Sequence, residues 1–283
     1  MTRGGFTLVE LLVVAACLTV LSAVLLPAIA AVRPHSQNII CANNLKQLTL
    51  AEIMYCDANT HSIPDTTVDG MTGGWFINLQ DYFGGGTNAM MMCPAASQPV
   101  VPSGSTLSVG TATAPWGRID SFGNNAAYFG SYAFNGWLFT KRSDANSGDG
   151  DGVSELGTSA YYLTGNSVRF PARTPVFTDG FWVDGWPTET DAACHDTRGV
   201  GGFNSPNLGT GSAHHEMARF AMARHGCDPF ASNVWQDPTK TPPGEVNVGL
   251  FDGHVELSNF PNLWRYQWHN NWRQTLVFIG TPY

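Results

Sequence analysis

Glu10 stands at the mouth of an uncharged, apolar stretch that fills residues 11–32. A carboxylate beside such a stretch is costly in lipid unless it finds a partner. Cleavage between Gly5 and Phe6 would create one, because the new α-amino group on Phe6 lies four residues before Glu10 on the same helix face. The chemistry on offer is ion pairing, within the chain or with a neighbouring subunit. A second set of candidate ligands lies in residues 143–155, where Asp144, Asn146, Asp149, Asp151 and Glu155 set hard oxygen atoms among glycines, as a Ca2+ loop requires. The spacing is imperfect for an EF-hand, since Gly148 and Asp149 stand where an Asp and the Gly belong. An acidic, Gly-rich turn is more often solvated loop.

The histidines invite a metal or hydrolase reading, and the spacing argues against both. His195, His214, His215, His225 and His254 form no H-x-x-x-H pair, and no H-E-x-x-H or G-x-S-x-G element accompanies them. Adjacent His214 and His215 on a strand would point to opposite faces. His225 is read as orienting a backbone turn near Asp252. No phosphate-binding loop, dinucleotide fingerprint or nucleophile with a base is present in the sequence, so no catalytic residue is assigned.

These groups need elements to position them. Residues 11–32 would make about 33 Å of helix, enough for a bilayer core of about 30 Å. A secretory signal would also have a basic start, and Ala28-Ile29-Ala30 supplies a cleavage pattern. Its apolar core would be only about 7–15 residues long, and Glu10 would be out of place. A plain membrane anchor fits the length and leaves Gly5-Phe6 and Glu10 unexplained. The helix is expected to continue through residues 33–58, with Cys41, Leu45, Leu48 and Tyr55 on one face. Pro27 and Pro34 each remove a helical donor and would kink or loosen the rod.

Residues 59–283 then form a globular head. An aromatic cluster around Trp75, Phe76 and Tyr82 comes first, and residues 95–115 read as an exposed loop. Residues 128–139 alternate weakly around Tyr128, Tyr132, Phe134, Trp137 and Phe139, as a sheet element would. Residues 245–258 read as a hairpin with Asp252-Gly253 in a two-residue type I′ turn. In that register Leu250 opposes Val255 and Val248 opposes Leu257, which puts four aliphatic side chains on one face. Trp182, Trp186, Trp264, Trp268 and Trp272 could form sugar-binding surfaces, but such residues are more often core or interface.

Residues Arg3-Gly4-Gly5-Phe6-Thr7-Leu8-Val9-Glu10-Leu11-Leu12 closely resemble the processing and methylation site of type IV prepilins and type II secretion pseudopilins. The resemblance implies a leader at residues 1–5, cleavage after Gly5 by a prepilin peptidase, N-methylation of Phe6, and packing of residues 6–32 first in membrane lipid and then in a filament core. It also implies docking on an inner-membrane assembly platform, with the head outside the cytoplasm. Two further segments look like a large-headed subgroup of that family. Cys41-Ala-Asn43-Asn44-Leu45-Lys46-Gln47-Leu48 pairs there with a short Cys93-Pro94 segment, and His225-Gly226 followed by Asp252-Gly253 resembles an "H-X9-DG" signature. The chain departs from the last pattern, with 26 residues in place of nine between His225 and Asp252.

Composition is consistent with this compartment. The net charge is −8, and loss of Arg3 with the leader makes the chain more acidic, so no nucleic-acid partner is indicated. Only 13% of residues are charged, while Gly numbers 31 and Pro 17, a mixture that suits a loop-rich β-containing head. Of six cysteines, Cys17 lies in the apolar span; the other five are an odd number in a compartment where disulfides persist. Cys41 with Cys93 and Cys194 with Cys227 are the favoured pairs, although spacing does not determine connectivity. The expected fold is α+β and pilin-like: a long N-terminal helix, half of it transmembrane, packed on an antiparallel β-sheet head with large loop insertions. The expected function is a self-assembling filament subunit with no required cofactor beyond the candidate Ca2+. The alternative is a membrane-tethered module that binds glycan or another surface ligand and does not polymerise.

Overall fold

A computed structural model describes residues 7–59, 67–68, 71–72, 74–83, 89–96, 107–108, 110–119, 127–139, 156, 158–162, 164–191, 216–220, 224–226 and 244–274. Its dominant element is one helix, α1, Leu8–Ala58, of 51 residues. At 1.5 Å per residue that is a rod of about 76 Å. Thr7 and Glu10 start it as a reciprocal capping box. Pro27 and Pro34 lie inside it, and the helix runs on through both, so the loosening expected there does not interrupt it. It ends where expected: Asn59 N–H and its side-chain amide both bond the Tyr55 carbonyl at 2.9 Å.

The two halves of α1 meet different surroundings. Leu8–Pro27 is long and apolar enough to cross a membrane, and none of it is buried within the chain. The C-terminal half buries Cys41, Leu45, Leu48, Thr49, Ala51, Glu52 and Cys56 along one stripe. Three of the four residues expected on that face are there. Tyr55 is half-buried beside it, edge-on to Tyr82 at 5.6 Å between ring centroids.

The head begins with a two-stranded ribbon, β1 (Thr67–Val68) and β2 (Met71–Thr72), then the short helix α2 (Trp75–Leu79). A three-stranded antiparallel sheet joins β3 (Leu107–Ser108), β4 (Trp116–Ile119) and β5 (Ala127–Gly130). The main sheet contains β6 (Tyr132–Asn135), β7 (Pro175–Asp179), β8 (Asp184–Gly185), β9 (Glu245–Leu250) and β10 (Val255–Asn259), in the order β10-β9-β7-β6-β8. All its pairs are antiparallel except β6 with β8. The fold is α+β and pilin-like: a long helix whose second half lies against β7, β9 and β10.

Aromatic side chains fill the space between these layers. Phe177 on β7 packs against Trp75 of α2 and Phe134 of β6, with ring centroids 4.8 and 5.0 Å apart. Each buried indole must also place its N–H. Trp75 donates to the Val183 carbonyl at 2.9 Å, Trp116 to Tyr132, Trp137 to Pro187 and Trp268 to Leu263. Trp186, Trp264, Trp268 and Trp272 are all buried, so they present no surface to a sugar.

The C-terminal hairpin is present, but its turn and register differ from expectation. Leu250 N–H bonds the His254 carbonyl and Gly253 N–H bonds the Leu250 carbonyl, so the loop has three residues, Phe251, Asp252 and Gly253. Gly253 takes φ +88°, the left-handed position such a loop needs. Val255 therefore opposes Gly249, Glu256 opposes Val248 and Leu257 opposes Asn247. A one-residue shift moves every side chain to the other face. Val246, Val248 and Leu250 enter the core; Val255 and Leu257 lie on the opposite face, with Leu257 exposed.

Candidate functional site

Two regions carry features that packing alone does not require. The first is the start of α1. Gly5 and Phe6 lie outside the described residues. Glu10 Oε2 accepts from Thr7 N–H and from Thr7 Oγ1, both at 2.8 Å, and Glu10 N–H donates to Thr7 Oγ1 at 3.3 Å. The carboxylate thus turns back over the helix N-terminus, towards the backbone atom next to Phe6. Beyond it the large apolar side chains of the span face outward: Leu11 is 64% exposed, Leu18 58% and Val24 69%. Ile39, Ile40 and Met54 continue that exposure along the half that docks the head.

The second region lies under the docked half of α1. Cys41 on α1, Cys93 in the segment after α2, Asp179 at the end of β7 and His225 converge so that one ligand atom from each lies within 4.8 Å of all the others. Cys41 Sγ donates to Asp179 Oδ1 at 3.1 Å, His225 Nε2 lies 3.4 Å from Asp179 Oδ2, and Cys93 Sγ is 3.7 Å from His225 Nε2. All four residues are buried.

A second layer of residues fixes this cluster. Asn247 on β9 donates its backbone N–H to Asp179 Oδ2 at 2.7 Å, and its side chain reaches Asn38 on α1 at 2.8 Å. Tyr132 Oη donates to Cys41 Sγ at 3.3 Å. Arg224 lies 3.9 Å from Asp179 Oδ1 and donates to the carbonyls of Ser131 and Thr111. Two side chains of α1, Gln37 and Asn44, hold the Cys93 segment by bonding the carbonyls of Pro94 and Met92, each at 3.1 Å. Thus Cys93-Pro94 does lie against the Cys41 stretch.

Electrostatics inside the cluster follow from burial and close charges. Burial pushes the Cys41 thiol up. Its hydrogen bond to Cys93, aided by His225, outweighs burial there and holds the Cys93 thiol down at about 6. Burial opposes charge on His225, but the Asp179 carboxylate prevails and raises the imidazole to about 10. Asp179 is lowered because His225 and Arg224 together overcome its own desolvation.

The expected sites meet this geometry unevenly. Cys41 and Cys93 do come together, as free thiols. Cys194 and Cys227 lie outside the described residues, and so do Asp144, Asn146, Asp149, Asp151 and Glu155, the proposed Ca2+ ligands. His225 does not serve the turn at Asp252. It bridges Glu245 at the start of β9, whereas Asp252 follows the far end of that six-residue strand. Asp252 instead receives His254 N–H at 3.2 Å, with His254 Nδ1 2.5 Å away. Asp179, Arg224 and Asn247 carry no sequence signal of this role, because each is a single residue brought in by the sheet.

Among known proteins, residues 1–26 match the family model described as the prokaryotic N-terminal methylation motif. No curated protein and no solved structure matches the chain. The match is to a prepilin-type methylation motif, and it overlaps Leu8–Pro27, among the described residues the one helical segment long and apolar enough to cross a membrane.

Proposed function

We propose that the chain is a structural subunit of a type IV pilus or type II secretion pseudopilus-like filament. It is cleaved after Gly5 by a prepilin peptidase and N-methylated at Phe6, and the chain itself catalyses no reaction. The observation that carries this reading is the outward-facing apolar half of α1 joined to a methylation motif. An apolar surface of this length needs cover. Lipid covers it before assembly, while the subunit waits in the inner membrane with its head outside the cytoplasm. The same helices of neighbouring subunits cover it afterwards, once an inner-membrane platform has delivered the chain. Glu10 neutralises the Phe6 amine of a neighbour as the helices come together.

The mass of the N-terminal peptide tests the processing step directly. A peptide beginning at N-methyl-Phe6 supports the reading; one beginning after Ala30 shows a released secretory domain. For polymerisation, Glu10→Ala should insert into the membrane at the normal level and be absent from sheared filaments. Equal filament yield from wild type and variant would remove the assembly role.

A further inference from the structure

We propose that Cys41, Cys93, Asp179 and His225 form a structural Zn2+ site that fastens α1 to the head. The donor set is what a closed zinc site uses: two thiolates, an imidazole and a carboxylate oxygen. The geometry agrees. Bonds of about 2.0–2.3 Å to a tetrahedral Zn2+ place neighbouring ligand atoms about 3.3–3.8 Å apart. Separations of 3.4 Å from His225 Nε2 to Asp179 Oδ2 and 3.7 Å from Cys93 Sγ to His225 Nε2 fall in that range. Cys41 Sγ stands 3.1 Å from the other carboxylate oxygen, Oδ1, and the four ligand atoms all lie within 4.8 Å of one another, so small side-chain rotations close them on one ion.

Charge balance points the same way. A buried site must approach neutrality. Zn2+ with the Arg224 guanidinium balances two thiolates and the Asp179 carboxylate, while His225 binds as neutral imidazole. Outer groups are in place to hold the ligands: Tyr132 Oη on Cys41, Asn247 N–H and Arg224 on Asp179. Every ligand is buried, which leaves no open position for substrate and makes the site structural. Zinc displaces whatever protons its ligands carry as it binds, leaving two thiolates, a carboxylate and a neutral imidazole around it. The ligands come from α1, the Cys93 segment, β7 and the residue bridged to β9, so one ion ties three separate stretches of chain to the helix that carries the apolar span.

A Cys41–Cys93 disulfide would consume both thiolates, so it and zinc exclude each other and one set of measurements decides between them. The full-length chain, purified in detergent without chelator and then dialysed against Zn2+, should retain about one zinc per chain by elemental analysis. Exchange with Co2+ should give a thiolate-to-cobalt charge-transfer band and the visible spectrum of a tetrahedral ion. His225→Ala and Cys93→Ser should lose most of the bound metal. Wild-type protein that retains no zinc, or that yields a Cys41–Cys93 disulfide peptide, overturns the proposal. So does a His225→Ala chain with wild-type zinc content. If either variant fails to fold, the wild-type cobalt spectrum decides alone: a band without thiolate character overturns the site.

Discussion

His225 Nε2 lies 3.4 Å from Asp179 Oδ2 in the interior, with both side chains closed to solvent. The pair joins the last residue of β7 to the residue that bridges β9, so it links two strands that α1 also crosses. Asp179 is the hinge of this arrangement, since it takes bonds from Cys41 on the helix and from Asn247 on β9 at once.

Removing that carboxylate should be among the most damaging substitutions in the head. Asp179→Ala leaves the fully buried Arg224 guanidinium without its counter-charge and Asn247 N–H without an acceptor. Breaking one side of a buried ion pair costs about 3–5 kcal/mol. Urea unfolding of the full chain in detergent should show a loss of that order. A paired replacement, Asp179→Leu with Arg224→Met, should recover part of it.

Glu52 gives a pH prediction independent of that cluster. It is wholly buried on the docked face of α1, where Cys56 Sγ donates to Oε1 at 3.4 Å and Oε2 has no partner among the described residues. Burial raises its carboxyl to about 8. The folded chain therefore keeps a proton that the unfolded chain releases above about pH 4.5. Stability from this group is full below about pH 4.5, falls as pH rises to about 8, and is flat beyond. Glu52→Gln should lose that slope and, at pH 8, be more stable than wild type by on the order of a few kcal/mol. Denaturant midpoints between pH 5 and 8 for both proteins measure it; parallel curves would rule it out.

How much of this the sequence could disclose depended on how local each feature is. The helix, its length, its end at Asn59 and its Cys41-Leu45-Leu48 stripe were legible because helical periodicity reports on neighbours three and four residues apart. The hairpin was legible as an element and not in register. Every residue from Val246 to Leu250 on β9 is buried, so alternation did not say which face was which. Asp252-Gly253 also suits both a two-residue turn and the end of a three-residue one. Of the Cys41, Cys93, Asp179 and His225 cluster, the Cys41 and Cys93 pairing was legible, while Asp179 and the place of His225 were not, because they come from distant stretches that only the folded head brings under the helix.

Gly249 should be intolerant of a methyl group. A Cβ there would lie 2.3 Å from Thr49 Oγ1 on α1. Gly249→Ala must rotate Thr49 or lift the helix off β9, at about 1–3 kcal/mol for overpacking. Thr49 Oγ1 has no hydrogen-bond partner among the described residues, so Thr49→Ala removes the clash without unpairing one of their polar groups. Thermal unfolding of the two single variants and the double should therefore be non-additive, with the double variant close to Thr49→Ala alone.

Gly253 makes a cheaper but cleaner test of the corrected turn. Its φ of +88° strains any residue with a Cβ, and a built Cβ would come 3.2 Å from Leu50 Cδ2. Gly253→Ala should cost about 1–2 kcal/mol, and Gly253→Asn less, because Asn tolerates the left-handed region. Equal tolerance of Ala and Asn in a chemical melt would contradict the three-residue loop.

Glu10 holds two roles that one substitution cannot separate, so two are needed. Its carboxylate completes the capping box with Thr7, and its charge is the proposed partner of the Phe6 amine. Glu10→Gln keeps an oxygen that can accept Thr7 N–H while removing the charge; Glu10→Ala removes both. Losing a cap costs about 1 kcal/mol of helix stability, too little to prevent a span of this length from forming. If charge drives assembly, Gln and Ala should be equally absent from sheared filaments while both reach the membrane. If capping were the whole of the role, Gln would assemble as wild type does, and the ion-pair account of Glu10 would have to be abandoned.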